Sequence, residues 1–518
     1  MRASSDRAHH AFKGYRTVGF ALLCALAIVP TLLVDIPAIE DYPNHLARMY
    51  ILTTAGTPQA NPYYQITWAL YADIAMDLVV PQLARFIDAE TATKFFFLAG
   101  QLLIVSGAIA IELVVKRRHE IAGIMALMAL HSLPFSLGLV NFEFGTGVAL
   151  WGIASWIALG RNHKHWMRFI THCVFVCILF VAHFFALGIY GLTIGLYELR
   201  RLAQQNFPAR DAVVVAAMLA CPVAVLLVLM RYSGATVGGA QTEWLFTWKP
   251  LWVALFLNGY NPVLAAGSAA VLLVLICYLA FKSALSLSST GKWVGLGFLL
   301  VFIAMPFKIF DSRMADIRMI AAAFLVLPAF VTFSPTSKSL GFVTAFAAGA
   351  IVLVNAGYAG FVWLDYRSDY AAMKASFALL PRGTFVLVGQ SAPASPTLLT
   401  DLPMSRAPTL AVYYADAFVS SLYTLPGQHA VHVRPDLKRL EVDTKTETYA
   451  PPSLVTLRAL AQHEEVRNAP GYLRNWPRDF AYLYLVGPHV GAAMPDLLDE
   501  IATDRRFTLY RVRKSRAG

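Results

Sequence analysis

The segment "TKFFFLAGQLLIVSGAIAIELVV", Thr93 to Val115, decides the fold class of this chain. Its two charged side chains, Lys94 and Glu112, lie towards its ends. A transmembrane helix needs about 20 predominantly apolar residues, so the segment is long enough to be one. The basic run Lys116 to Arg118 follows at once, which is typical of the cytoplasmic end of a span. The segment therefore predicts a helix that crosses a membrane.

Similar apolar runs recur on both sides of this segment. The chain of 518 residues is 58% hydrophobic and only 14% charged, whereas soluble domains carry about 25% charged residues. The run 168–199 is long enough for two short helices with a turn near His183, and 66–90 is a candidate for an extra span. We predict a mainly α, polytopic helical membrane protein with about eleven spans. The spans are 17–35, 93–115, 120–139, 144–160, 168–183, 184–199, 211–230, 262–281, 293–307, 317–334 and 340–363.

The basic residues give the orientation. The formal net charge is +11, and much of it lies in short clusters between apolar runs. With the N-terminus inside, sixteen basic residues up to residue 364 lie on the cytoplasmic side and eight on the outer side. This asymmetry fits the positive-inside rule, so the charge indicates membrane topology and not nucleic-acid binding. An odd number of spans then places residues 365–518 outside.

The acidic residues show the opposite asymmetry. Eleven lie on or near the outer side of the spans and five near the inner side. Acidic residues hardly influence topology, so insertion does not explain the bias. We infer that the outer face uses carboxylates.

The C-terminal part has a different character from the spans. "GTFVLVG", "AYLYLVG" and "FTLYRV" predict strands, while "PPSLVTLRALAQ" and "MPDLLDEIATD" predict amphipathic helices. We therefore divide the chain into a transmembrane domain, 1–364, and an extracytoplasmic α/β domain, 365–518.

The first outer loop, 36–92, is far longer than most helical connections and contains the stretch "IEDYPNHLAR". A helix beginning at Asp41 would carry His45 and Arg48 on the same face. Asp41 has two interpretations, a helix N-cap or a carboxylate at the membrane boundary suited to general-base work. Glu40 could assist it or bind a metal ion. A second helix within "QITWALYADIAMDLVVPQLARFI" would place Asp73 and Asp77 on one face, where they could simply face water.

A second outer cluster is "MPFKIFDSRMADIRM", Met305 to Met319. The positive-inside rule disfavours three basic residues in a short outer loop, and this loop contains Lys308, Arg313 and Arg318. Their presence indicates an anionic partner such as a phosphate. The alternative is pairing with Asp311 and Asp316. Three weaker candidates on the outer side are Glu143 in "NFEFGTG", His183 in "VAHFFAL" and Lys249 in "TEWLFTWKP".

The layout resembles the GT-C superfamily of integral-membrane glycosyltransferases. The features that carry the resemblance are "IEDYPNHLAR", the long loop through "WALYADIAMDLVVPQLARF", and the C-terminal domain. The order Glu40-Asp41 is the reverse of the Asp-Glu found in the protein O-mannosyltransferase and aminoarabinose-transferase branches. The chain looks closer to bacterial members of unassigned specificity.

The resemblance implies an inverting hexosyl- or pentosyltransferase of the bacterial inner membrane, with the C-terminal domain in the periplasm. Its donor would be a polyprenyl-phosphate-linked sugar, and its acceptor a hydroxyl of a glycan, lipid or protein. Asp41 is then the candidate base, assisted by Glu40. A divalent metal ion is an open alternative, and no nucleotide-binding motif is present. The candidates for substrate binding are His45, Arg48, Asp77, Glu143, His183, Lys249, Lys308, Arg313 and Arg318.

Two alternatives belong to other functional classes. A multi-span transporter or lipid flippase would place ionisable residues along a path near the middle of the membrane. A membrane scaffold with an outer partner-binding domain would use the first-loop acids as caps and the Met305 to Met319 bases as salt bridges.

Overall fold

The apolar runs form helices in the structure, a computed structural model that describes residues 2–161, 165–232, 242–309, 312–391, 402–425, 427–442, 450–491 and 493–514. The helices of the first 377 residues are α1 (Arg2–Leu33), α2 (Tyr42–Thr54), α3 (Ala75–Leu83), α4 (Ala89–Lys116), α5 (Ala122–Ala129), α6 (Leu133–Leu137), α7 (Val140–Arg161), α8 (His165–Ala182), α9 (Phe184–Gln204), α10 (Ala209–Tyr232), α11 (Lys249–Leu255), α12 (Pro262–Phe281), α13 (Ser289–Ala304), α14 (Ile317–Val326) and α15 (Lys338–Phe377). Those that follow are α16 (Leu402–Ser405), α17 (Ala411–Ala415), α18 (Leu454–Ala461) and α19 (Trp476–Asp479).

Helices occupy the predicted spans, but the spans 120–139 and 317–334 are each divided into shorter elements, and the count of eleven stays a prediction. Within the described residues, six helices are long and apolar enough to cross a membrane, namely α4, α7, α8, α10, α12 and α15. Shorter apolar helices cover Val18–Leu33, Ala122–Leu137, Ser289–Ala304 and Ile317–Phe330. The run 168–199 is broken at His183, whose side chain accepts the Phe185 N–H at the start of α9. The turn predicted there is confirmed.

Helices α4 and α7 pack closely against each other. A Cβ on Gly147 of α7 would lie 2.5 Å from the Leu103 Cβ and 2.9 Å from the Ile104 backbone nitrogen of α4. Glycine therefore lets the two helices approach more closely than any larger residue would allow.

The first loop contains two short helices and one strand. α2 begins directly after Asp41, as its sequence predicts, but the predicted second helix is limited to α3. Residues Tyr64–Ile66 form strand β1 instead. The predicted shared face of Asp73 and Asp77 is wrong, because Asp73 precedes α3 in the left-handed conformation with φ 69°. The extra span considered at 66–90 is also wrong, because α3 has only nine residues and is too short to cross a membrane.

The chain also forms two small sheets and one larger C-terminal sheet. The remaining strands are β2 (Leu285–Leu287), β3 (Val331–Phe333), β4 (Phe385–Gln390), β5 (Phe418–Val419), β6 (Val431–Val433), β7 (Tyr482–Val486), β8 (Leu498–Asp504) and β9 (Phe507–Val512). The larger sheet has the order β5-β4-β7-β9-β8, with parallel pairs β4–β5 and β4–β7 and antiparallel pairs β7–β9 and β9–β8. The helix predicted in "MPDLLDEIATD" is wrong, because Leu498–Asp504 pairs with β9 as an edge strand, and tertiary pairing overrides local propensity.

The first loop and the C-terminal residues are joined by a two-stranded sheet. β1 pairs antiparallel with β6, and α2 packs against Ala407–Leu410 and α17. The domain boundary predicted at residues 364 and 365 lies within α15, which continues to Phe377. Because α2 and β1 belong to the first loop, their contacts place the C-terminal residues directly on the loop that carries Glu40 and Asp41.

Candidate functional site

A cavity of about 480 Å³ lies where the first loop, the α6–α7 turn, the loop before α14 and the C-terminal residues meet. Of the eleven site residues predicted from the sequence, eight line it. They are Glu40, Asp41, His45, Arg48, His183, Lys308, Arg313 and Arg318. Acidic and basic candidates from distant segments therefore share one cavity.

Asp41 occupies the N-cap position of α2 without acting as a side-chain cap. Its carboxylate accepts no backbone N–H of the helix, and it accepts instead the Asn44 side-chain amide at 3.4 Å. Asp41 lies against the turn at Gly138, where an added Cβ would lie 2.9 Å from the Asp41 Cβ. The capping interpretation thus fails for the side chain, and the carboxylate lines the cavity.

Burial dominates the titration of the two adjacent carboxyls. It raises the pKa of Glu40 to about 7, helped by the negative charge of Asp41 and opposed by the Arg406 guanidinium. Burial also raises the pKa of Asp41, opposed by Arg406, the Asn44 amide and Arg48. Glu40 can therefore exchange a proton near neutral pH, and the raised pKa of Asp41 makes its carboxylate a stronger base.

His45 is held as a neutral imidazole. Its Nε2 lies 3.0 Å from the Gly138 carbonyl oxygen, which can only accept, so Nε2 carries the proton. The other ring nitrogen, Nδ1, is buried and has no hydrogen-bond partner among the described residues. Burial and the nearby Arg48 lower the pKa of His45 to about 3. The ring therefore presents an acceptor nitrogen and no charge.

Arg48 is buried at the wall of the cavity and paired on its far side. Its Nη2 donates to both carboxylate oxygens of Asp77, at 2.5 and 2.7 Å. Its Nη1 donates to the His429 Nε2 at 3.2 Å, because a guanidinium cannot accept. Asp77 does not line the cavity, so the structure places it behind Arg48.

Asp73 and His183 form another part of the wall, where α3 meets α9. The Asp73 Oδ1 accepts the Phe184 N–H at 2.8 Å, and burial raises the pKa of Asp73 to about 6. The His183 Nδ1 lies 3.7 Å from Asp73, but it accepts the Phe185 N–H at 3.1 Å and so carries no proton. The two side chains are neighbours and not an ion pair.

Arg318 presents the clearest anion-binding group. The residue is only 3% exposed, and its guanidinium carbon lies 4.5 Å from the ring centre of Phe185 and 5.5 Å from that of Phe142. Its Nε and Nη1 are buried without a hydrogen-bond partner among the described residues. Buried donors of this kind normally have a partner. Because Arg318 lines the cavity, an anionic ligand could supply that partner.

The other members of the basic cluster are placed differently. Arg313 is exposed and Lys308 half-buried, and both line the cavity. The backbone of Lys308 pairs with that of Glu243 through two hydrogen bonds of 3.1 Å. Of the acids proposed to neutralise this cluster, Asp316 contacts Lys249 at 3.3 Å, and Asp311 lies outside the described residues.

Two residues predicted to bind substrate, Lys249 and Glu143, do not line the cavity. The Lys249 Nζ donates to the carbonyls of Phe302 and Met305 at 2.7 and 2.8 Å and to Asp316. All three of its protons are thereby used. Glu143 is buried on α7 and does not line the cavity either.

The sequence reasoning missed the residues that the C-terminal segments contribute. Arg406, Tyr423, Gln428 and His429 all line the cavity. The Arg406 Nε lies 3.9 Å from the Glu40 carboxylate. No local pattern marks these residues, because only tertiary packing brings them to the first loop.

The described residues contain no group of three or more His, Cys, Asp or Glu that could hold a metal ion. A divalent cation at Glu40 and Asp41 would take its remaining ligands from water or the donor phosphate, so a metal ion stays a prediction.

Comparison with known proteins identifies the fold. No family model matches the sequence, and no curated protein matches it. The crystal structure of ArnT from Cupriavidus metallidurans bound to undecaprenyl phosphate matches over 98% of this chain and 99% of its own, at 12% identity and a TM-score of 0.50. The apo structure of the same protein matches over 96% and 98%, at 12% identity and a TM-score of 0.46. ArnT is a GT-C glycosyltransferase, so the GT-C fold implied by the sequence is confirmed.

Proposed function

We propose that the chain is a membrane glycosyltransferase, which moves a sugar from a polyprenyl-phosphate donor to an acceptor hydroxyl on the outer face of the bacterial inner membrane. The observation that carries the proposal is one cavity lined both by the half-buried Glu40–Asp41 pair and by Arg318, whose Nε and Nη1 have no hydrogen-bond partner among the described residues. The shared fold with ArnT, whose structure holds undecaprenyl phosphate, supports the class of donor.

The donor phosphate would bind at the basic side of the cavity. The Arg318 Nε and Nη1, which have no partner among the described residues, can donate charge-assisted hydrogen bonds, and Lys308 and Arg313 add positive charge to the same cavity. The phosphodiester of the donor becomes a phosphomonoester as the sugar leaves, so negative charge develops on its oxygens. Cationic donors already in place stabilise that charge without reorganisation.

The acceptor would be activated at the acidic side. Its hydroxyl oxygen attacks the anomeric carbon, the bond from that carbon to the phosphate oxygen breaks, and the hydroxyl proton passes to Asp41. Glu40, next to Asp41, is placed to share that proton. A single displacement of this kind inverts the anomeric centre. The acceptor would be a glycan, lipid or protein hydroxyl, reached from the periplasm where we place the C-terminal domain.

Transfer in membranes tests the proposal. Membranes that contain the protein are supplied with polyprenyl-phosphate donors carrying radiolabelled hexoses or pentoses, and label in the acceptor fraction is measured. We expect transfer by the wild type and a loss of about 10²- to 10⁴-fold in Asp41→Asn, because the variant cannot take the proton.

Asp436→Asn is the matched control, because Asp436 is an exposed acid of the C-terminal region, paired with Arg434. It should keep full transfer. Full transfer by a correctly inserted Asp41→Asn protein would contradict the role of Asp41. Absence of transfer with every donor would contradict the proposed activity.

A further inference from the structure

Arg406 reaches the carboxylate pair from the C-terminal region. It immediately precedes the helical turn Ala407–Leu410, which packs against α2. Its guanidinium is buried, lies 5.4 Å from the ring centre of Tyr423, and approaches Glu40 to 3.9 Å. A long side chain held on a ring and excluded from water keeps its charge at one place beside the carboxylates.

A second link runs from the C-terminal backbone to Asp41. The Tyr423 N–H donates to the Asn44 Oδ1 at 3.4 Å. An amide side chain accepts only at its oxygen, so this contact turns the Asn44 Nδ2 towards the Asp41 carboxylate, 3.4 Å away. The orientation of Asn44, and with it the hydrogen bond to Asp41, depends on the C-terminal segment.

We propose that Arg406, Asn44 and Tyr423 are positioning residues, which hold the Glu40–Asp41 pair in place and favour its charged form, so that the C-terminal region controls the chemistry of the first loop. The placement of these groups is independent of the reaction, whereas the effect on transfer rests on the proposed function.

The surrounding charges support the assignment. Arg406 lowers the pKa values of both Glu40 and Asp41, against the rise caused by burial. Arg48 acts on Asp41 from the same helix, but its charge is balanced by its ion pair with Asp77. Arg313 lines the same cavity and is exposed, so water screens it. Arg406 is thus the buried cation whose loss should change the titration of Glu40 and Asp41 most.

Infrared difference spectroscopy tests the proposal without a substrate. The purified full-length protein is titrated in detergent, and the carboxyl signals are assigned with Glu40→Gln and Asp41→Asn. In Arg406→Gln the titration midpoints should rise by about one pH unit or more, because an opposite charge has been removed. Arg406→Lys keeps the positive charge, so its midpoints should stay close to those of the wild type. Asn44→Leu should raise the midpoint of Asp41 alone.

Arg439→Gln is the matched control, because Arg439 is an exposed arginine of the same region, paired with Asp479. Its midpoints should equal those of the wild type. Unchanged midpoints in Arg406→Gln and Asn44→Leu proteins that remain monodisperse would overturn the proposal.

The rate of sugar transfer as a function of pH gives the second readout. Removing Arg406 should shift the acidic limb of the pH–rate profile to higher pH. The loss of transfer rate is then largest at low pH, and the rate recovers as the pH rises. An equal loss at every pH would indicate a merely structural role and contradict positioning. Shifted infrared midpoints in a protein that transfers no sugar would refute the proposed function and leave the positioning role standing.

Discussion

Two aspartates that precede helices show what a single residue reveals in this chain. Asp88 precedes α4 with extended backbone angles, φ −65° and ψ 156°, and accepts the Thr91 N–H at 2.8 Å. Asp41 precedes α2 with φ −91° and ψ 1°, and its carboxylate accepts no backbone N–H of the helix. A capping side chain needs the extended conformation. Both residues fit the same sequence pattern, and only the backbone separates a cap from a cavity carboxylate.

The cations of the outer loops could not be sorted by sequence for a similar reason. Lys249 and Arg318 both depart from the positive-inside rule, and the sequence offers both as candidates for substrate binding. The Lys249 ammonium is used by two carbonyls and Asp316, whereas two guanidinium nitrogens of Arg318 have no hydrogen-bond partner among the described residues. Hydrogen-bond satisfaction depends on the packed neighbours and not on the local sequence.

Arg318 gives a prediction at this scale. Arg318→Gln should weaken binding of undecaprenyl phosphate to the purified protein by about 10- to 100-fold, because hydrogen bonds to charged groups contribute about 1.5–3 kcal/mol. Arg318→Lys should lie between the two, since it keeps the charge but loses the planar donors. Binding is measured by the change in intrinsic fluorescence on titration with the lipid.

The control for this experiment is Arg434→Gln, which removes an exposed arginine paired with Asp436. It should bind the lipid phosphate as the wild type does. Equal affinities of Arg318→Gln and wild type, with both proteins folded, would show that the phosphate binds elsewhere.

At the scale of elements, the sequence predicted the helical body well and the first loop less well. Long apolar segments with charged ends leave few alternatives to a helix, because the backbone must satisfy its own hydrogen bonds in lipid. The segment 64–87 has no such constraint. Its strand β1 exists because it pairs with β6 from the C-terminal region, and α3 is only nine residues long.

The turn at Gly138 gives a prediction for one element. Gly138 has φ +85°, and an added Cβ would lie 2.9 Å from the Asp41 Cβ and 3.1 Å from its backbone nitrogen. Its carbonyl also accepts the His45 Nε2 proton. Gly138→Ala should cost about 1–2 kcal/mol for the left-handed conformation alone. It should in addition displace Asp41 and reduce sugar transfer at least tenfold.

Gly56→Ala separates these two effects. Gly56 also has a positive φ, +74°, but nothing lies within 4 Å of an added Cβ. This variant should lose a similar amount of stability and keep its transfer rate. Thermal unfolding in detergent measures the first quantity. Equal transfer rates of the two variants would show that the α6–α7 turn does not position Asp41.

The whole molecule explains why part of the site was invisible in the sequence. Arg406, Tyr423 and His429 follow the spans in the chain, yet they line the cavity beside the first loop. The transporter alternative finds less support at this scale. Glu112 accepts Lys116 and three backbone N–H groups, and Glu198 pairs with Arg168, so these acids serve the packing of helix ends.

The contact between the first loop and the C-terminal region gives the last prediction. Gln65 of β1 and His432 of β6 are direct partners across the antiparallel pair. Their Cα atoms should lie about 4.5–5.5 Å apart, within the range that a disulfide spans. A protein with Gln65→Cys and His432→Cys should therefore form this disulfide on mild oxidation, as detected by mass spectrometry of a non-reduced digest. Gln65→Cys with Asp436→Cys is the control, because Asp436 follows β6 and has no partner in β1.

If the C-terminal region positions Glu40 and Asp41, the oxidised Gln65–His432 pair should keep the wild-type carboxyl titration, since the link fixes a contact that already exists. Equal cross-linking of both pairs, or of neither, would mean that the two regions are not held together in this register.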